Sequence, residues 1–350
     1  MMVRHSTRYY HANRFAADYQ AITIARFSPA IPPARQSQGE KHGFPAITMP
    51  LCGEIIGSKG EGVAVAQCPA SCGELIQGWI LGSEKLVSCP VDWYSTVEVC
   101  NGAPLSQERP LSRMMVERLL QHWGYPAQMG QALRIETHST IPLAKGMASS
   151  TADIAATAVA AAHHLGRRLD EPTLAALCVS LEPTDSTLFR QLTLFDHNDA
   201  STQLACGNAP ELDVLLLESP LTLRTADYHR RARQRALLAE APTLQRAWRQ
   251  LQEGCQRQDP YRLGEAATLS AIASQRLLPK ADFPALLAMV EQFGLYGVNV
   301  AHSGSVVGLL LDRRRHDVGA LRHHLTQHGL TRHWPTQHLL KLIGGGVRLR

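Results

Sequence analysis

The segment Pro142-Leu143-Ala144-Lys145-Gly146-Met147-Ala148-Ser149-Ser150-Thr151-Ala152-Asp153 places small and hydroxyl side chains directly before an alanine-rich run, Ile154 to Leu165. The chemistry suited to that junction is phosphate binding. Small residues let backbone N–H groups approach an anion, and a helix starting there aims its unpaired N-terminal donors and positive dipole end at the same point. Ser149 or Ser150 can cap the helix, and Asp153, three residues after Ser150, gives an S-x-x-D pattern close to a capping box. Ile154, Ala158, Val159, Ala162 and Leu165 follow the helical period. The same residues would also make an ordinary capped core helix. Neither common nucleotide signature is present, since Lys145 precedes its glycine instead of following a Walker loop and no G-x-G-x-x-G occurs after a strand.

Two further stretches carry small residues in a comparable way: Ala66-Gln67-Cys68-Pro69-Ala70-Ser71-Cys72-Gly73-Glu74-Leu75-Ile76-Gln77-Gly78, and Asn299-Val300-Ala301-His302-Ser303-Gly304-Ser305-Val306-Val307-Gly308-Leu309. With the segment at Pro142 they resemble, in order, the three motifs of the GHMP kinase superfamily, which includes galactokinase, homoserine kinase, mevalonate kinase and phosphomevalonate kinase. The phrases CPASCGELIQG, PLAKGMASSTADIAATA, SLEPTDST, LFDHND and VAHSGSVVGLLLD are similar to the branch that phosphorylates L-threonine for the aminopropanol arm of adenosylcobalamin. The resemblance implies ATP and Mg2+ as cofactors and L-threonine as the small-molecule partner. It leaves two alternatives: a kinase for another small alcohol such as homoserine or a sugar, and a nucleotide-binding regulator without transfer activity.

Phosphoryl transfer needs a phosphate cradle, a cation site and a group that orients or deprotonates the acceptor hydroxyl. The resemblance assigns the cradle to residues 142–151, and the magnesium ligands to Ser149 or Ser150 together with Glu182. Asp185 is its first candidate for the base, Asp199 the second and Asp196 a third. One departure matters: related kinases carry a lysine in the first motif, where this chain has Pro69-Ala70-Ser71. Either Lys145 or Lys85 supplies that charge, or catalysis rests on positioning alone. For the amino-acid substrate, Glu74, Asp92, Asp185 and Asp199 are candidate partners of the ammonium. Arg190, His197 and the Ser303 turn are candidate partners of the carboxylate.

The elements that must hold these groups read as a mixed α+β chain. Strand-like alternation is expected at Val63 to Ala66 and Leu86 to Val99, with Gly73 to Gly82 turning between them. A helix comes next at Ser112 to Trp123, a strand near Leu133 to Glu136, then the loop and its helix. A second helix starts at Glu171-Pro172, and Asp213 to Leu217 is an apolar strand. Helices near Leu244 to Cys255, Tyr261 to Leu278 and Pro284 to Phe293 precede the strand Val306 to Leu311 and a last helix at Val318 to His328. The resemblance sharpens this to a two-domain GHMP kinase fold. Its N-terminal domain is ribosomal S5-like, with a left-handed β-α-β crossover, and its C-terminal domain is ferredoxin-like. The expected boundaries are 61–210 for the ATP-binding domain and 211–350 for the second.

Residues 1–60 differ from the rest of the chain. Up to Pro50 there is no sustained apolar period, and basic side chains outnumber Asp18 and Glu40, so this part reads as a disordered extension. Met49 is one candidate for a later start. No apolar stretch is long enough for a membrane span and no segment suits a secretory signal. The eight cysteines form no C-x-x-C pair or regular framework, which fits a reduced, cytoplasmic protein. A net charge of +5, without interleaved aromatics, argues against nucleic acid as a partner. The sequence leaves a homodimer open.

Overall fold

A computed structural model describes residues 62–222 and 233–350; the expectation for residues 1–60 lies outside them. The chain opens with two long antiparallel strands, β1 (Ala64–Ile80) and β2 (Ser83–Asn101). Ile80 pairs with Ser83. The turn is therefore only Leu81-Gly82, with φ of 50° and 90°, the double positive φ of a type I′ hairpin whose twist matches the strands it joins. This corrects the turn expected over Gly73 to Gly82. Gly73 and Gly78 belong to β1 itself, where the register shifts between Ser71 and Glu74 and again before Ile76. Gly73 has a φ of 59°, and a Cβ on it would lie 2.5 Å from Ala301 N, so this glycine permits a bulge pressed against another strand.

Helix α1 (Pro110–His122), β3 (Leu133–Ser139), α2 (Ser149–His164) and α3 (Glu171–Val179) come next, then β4 (Leu192–Phe195), β5 (Gln203–Gly207) and β6 (Asp213–Glu218). After them stand α4 (Gln234–Arg257), α5 (Pro260–Ser274), α6 (Phe283–Gln292), β7 (Gly297–Val300), β8 (Val306–Leu311), α7 (Val318–Gln327), β9 (Thr336–Lys341) and β10 (Arg348–Leu349). Pro at or next to the first position suits α1, α3, α5 and α6, where the missing N–H removes no intrahelical bond. Asp170, Asp259 and Asp317 accept backbone N–H bonds at the starts of α3, α5 and α7.

The strands form one antiparallel sheet in the order β5-β4-β2-β1-β7-β8-β6-β9, with β3 on β2 and β10 on β1. Within the strand order its two halves meet at one register, Glu74 opposite Val300, and an isolated bridge joins Val91 of β2 to Leu342 just after β9. β6 shows why the middle strands read as continuous apolar runs. Val214 and Leu216 enter the core beneath α2 and α4, while Leu215 and Leu217 enter a second core with α6 and α7. A strand covered on both faces has no polar side to alternate with. The one-pair junction at Glu74 places the first motif, the loop before α2 and the β7–β8 turn at a common point.

Candidate active site

Around that point lies a cavity of about 580 Å3, a size ordinary for a small-molecule site. Its wall contains Glu74 and Gln77 from β1, Leu86 from β2, residues 144 and 146–151 of the loop and α2, the segment 182–185, His197 and Ser303.

The loop before α2 is wound in an unusual way. Ala144, Gly146 and Ala148 all have positive φ, at 57°, 78° and 55°. Alternation of this kind turns successive N–H groups inward and makes an anion-binding concavity. The loop's carbonyls are taken from outside. Lys145 O accepts from Ser305 N at 2.8 Å, Gly146 O from Gly73 N at 3.2 Å and Met147 O from Ser71 N at 3.0 Å. Gly146 is enforced by contact, because a Cβ there would sit 2.5 Å from the Ala301 methyl and 2.8 Å from Gly304 Cα. The three sequence motifs are therefore packed backbone to backbone.

The capping expectation is corrected here. Helix α2 begins at Ser149, its N-cap is Ala148, and no side chain caps it. Asp153 is turned elsewhere, accepting from Ser95 Oγ at 2.5 Å and from Arg109, which ties α2 to β2 and α1. An uncapped helix start leaves about half a unit of positive charge and its first N–H groups for a ligand.

Glu182 and Ser150 face one another at the cavity, and their hydrogen bond partly offsets the burial that raises the Glu182 carboxyl above its usual range. Asp153 adds a smaller push in the same direction. A carboxylate and a hydroxyl in a partly desolvated wall are hard oxygen donors of the kind Mg2+ accepts alongside phosphate oxygens. Among the described residues no cluster of three metal-binding side chains occurs, so such a cation would depend on the nucleotide for its other ligands. Asp185 stands beside them. Burial first, then the charges of Glu74 and Glu182, push it up to about 7, against hydrogen bonds from Thr151 and Ser88. Thr151 also accepts from Asp185 N at 3.1 Å, which fixes the aspartate to α2.

The other expected residues divide sharply. Lys145 contributes its backbone to the loop, but its ammonium points to Ser219 O, to Leu221 O at 3.0 Å and to Glu218 at 3.5 Å. That placement turns the ammonium away from the cavity wall, where it anchors the chain after β6. Lys85 binds the hairpin carbonyls of Ile80 and Leu81 and Ser83 Oγ. Asp196 accepts from Ser83 at 2.5 Å. Asp199 is exposed and accepts from Ser201 N at 2.8 Å in a local turn, outside the cavity wall. Pro142 and Leu143 precede the wall, and Leu143 is exposed. Asp92 accepts from Lys341 N at 2.7 Å and Arg190 lies near Glu171. Glu74, His197 and Ser303 do line the cavity. Gln77 and Leu86 share that wall, although neither residue type points to chemistry in the sequence; the one signal for Gln77 is that it belongs to the first motif.

The site is that of a kinase acting on a small molecule, and the chain belongs to the GHMP kinase family. A family model described as the GHMP kinases N terminal domain matches residues 111–189. The chain is 73% identical over 288 residues to an L-threonine kinase of Citrobacter freundii, covering 82% of this chain and 100% of that protein. It is 69% identical over 292 residues to an L-threonine kinase of Salmonella typhimurium, covering 83% and 97%. The fold is similar to that of the mevalonate diphosphate decarboxylase from Enterococcus faecalis, at a TM-score of 0.61 and 18% identity over 82% of this chain and 98% of that one. It is equally similar to homoserine kinase from Cytophaga hutchinsonii, at 0.61 and 14% over 85% and 100%.

Proposed function

We propose that this protein transfers the γ-phosphoryl group of ATP to the side-chain hydroxyl of L-threonine, giving ADP and O-phospho-L-threonine. The observation that carries the chemistry is the meeting of an uncapped helix start, the Ser150–Glu182 pair and Asp185 in one cavity. The choice of threonine is supported by the 73% and 69% identity to L-threonine kinases.

The loop N–H groups at 144–151 bind the phosphates and stabilise charge spread over the transferred group. Ser150 and Glu182, with Ser149 adjacent, would hold magnesium, which when bound neutralises phosphate charge. Asp185, poised near neutrality, accepts the threonine hydroxyl proton as the oxygen bonds to phosphorus and the bond to ADP breaks. Because the transition state is loose, that proton need not leave early, so the absent first-motif lysine is tolerated. Glu74 supplies the negative charge for the substrate ammonium, while His197 and the Ser303 turn face its carboxylate. The reaction belongs to the cytoplasm, feeding the aminopropanol arm of adenosylcobalamin. Among the described residues no helix is long and apolar enough to cross a membrane.

An ADP-release assay across L-threonine, L-serine, homoserine, mevalonate and galactose tests this reading. L-threonine should give the highest kcat/KM; equal or better turnover of another alcohol would replace it as the substrate.

A further inference from the structure

The turn 302–305 closes one side of the cavity and presses Gly304 against Gly146 so tightly that a Cβ on Gly304 would lie 2.4 Å from Gly146 Cα. Two buried, oppositely charged side chains grip it from other elements. Glu74, on β1, accepts from His302 N at 2.8 Å and lies 3.1 Å from His302 Nδ1. Lys280, just before α6, donates its ammonium to Gly304 O at 2.6 Å. Its own N–H donates to Gln275 Oε1 at 2.8 Å, which seats it at the end of α5. His302 is braced in turn by Ser270 Oγ at 3.2 Å.

Burying an ammonium is expensive, and a carbonyl needs only a neutral donor. Burial accordingly lowers the Lys280 ammonium to about 7, with the charge of Glu74 as the opposing influence. The lysine contributes what a smaller donor does not: reach from the start of α6 to the carbonyl of the turn. No sequence motif marks it, and it lies outside the cavity wall.

We propose that Lys280 is a positioning residue for phosphoryl transfer: by holding Gly304 O opposite the Glu74–His302 contact, it fixes the third-motif turn against Gly146 and so sets the curvature of the phosphate loop. It acts on nucleotide binding through the backbone, without touching substrate. The inference rests on the ATP-kinase reading above.

The test uses the full chain and its Lys280→Met and Lys280→Gln variants, with binding of a fluorescent ATP analogue measured apart from turnover. Lys280→Met should weaken nucleotide binding and raise the KM for ATP by about tenfold or more, and by clearly more than it raises the KM for threonine, whose carboxylate the same turn faces. Lys280→Gln, which keeps a donor, should recover part of the loss, and it serves alone if the Met variant does not fold. A folded variant that binds the analogue within about threefold of wild type, or that loses ATP and threonine affinity equally, overturns the proposal. Analogue binding by wild type without phosphoryl transfer would count against the kinase reading and leave this one measurable.

Discussion

In the proposed reaction Asp185 is the residue on which the chemistry turns, and its environment makes two opposite demands. A carboxylate surrounded by Glu74 and Glu182 and held away from water is destabilised by its charge, and for the same reason it is basic enough to take a proton near neutral pH. Asp185→Asn should therefore lower kcat by more than about tenfold, and a smaller loss would remove it as the base. For the wild type, kcat/KM should rise with pH through an inflection near 7, because only the ionised form accepts a proton. The stability effect has the reverse sign. The folded-state value lies above the unfolded one, so the folded chain binds more protons and stability falls as pH rises from about 4 towards 7. Asp185→Asn should raise Tm at pH 8, with the gain vanishing below the unfolded carboxyl range. Thermal melts of both proteins across that range check it. At the neighbouring pair, Ser150→Ala should raise the magnesium concentration for half-maximal rate, and more than Ser149→Ala does. Only Ser150 is paired with Glu182, so equal effects would shift the magnesium assignment to both serines.

The loop and helix α2 act as one element, and Lys145 tests which part of the loop matters. Its ammonium reaches away from the cavity to the chain after β6. Lys145→Met should therefore leave kcat within about tenfold of wild type while lowering Tm by several degrees, through loss of a buried charge-assisted contact. A loss of a hundredfold or more in kcat without a change in Tm would return the lysine to catalysis. At this scale the sequence is legible where one physical rule dominates. The run at Val306–Leu311 matches its strand and the Pro172 start matches α3, because apolar period and proline geometry are local. The α2 cap is not legible, because Ser149, Ser150 and Asp153 have the right spacing for a box. What decides the matter is non-local: Arg109 and Ser95 draw Asp153 away. Gly73 reads as a turn for the same reason, since only Ala301, far along the chain, shows that it is a bulge. Lys280 and Lys145 have no legible position at all, because a lysine's direction is set by which carbonyls the finished fold brings near it.

At the scale of the whole molecule, the last residues return to the site the first motif helps to build. β10 pairs Leu349 with Ala66 and Arg348 with Gln67 on β1. Arg350 N donates to Val65 O at 2.9 Å, and Gly346 N donates to Thr187 O at 2.8 Å. Gly345 is packed so closely that a Cβ would lie 2.3 Å from Phe189 O and 2.5 Å from Thr187 O. The segment 186–189 continues directly from Asp185, so the C-terminal strap is the back support of the candidate base. A methyl placed there has backbone carbonyls against it, which cannot rotate aside as a side chain would, and overpacking of this kind costs about 1–3 kcal/mol. Gly345→Ala should lower Tm by several degrees and also lower kcat, by displacing Asp185 relative to Thr151. Misplacement of about 1 Å near reacting groups can cost on the order of a hundredfold. Removal of residues 344–350 should have the same two effects and a larger drop in Tm, since it also strips the pairing from β1. If the truncated chain lost stability but kept full kcat at a temperature where it stays folded, the strap would be an edge of the sheet only, and Asp185 would be held by Thr151 and Ser88 alone.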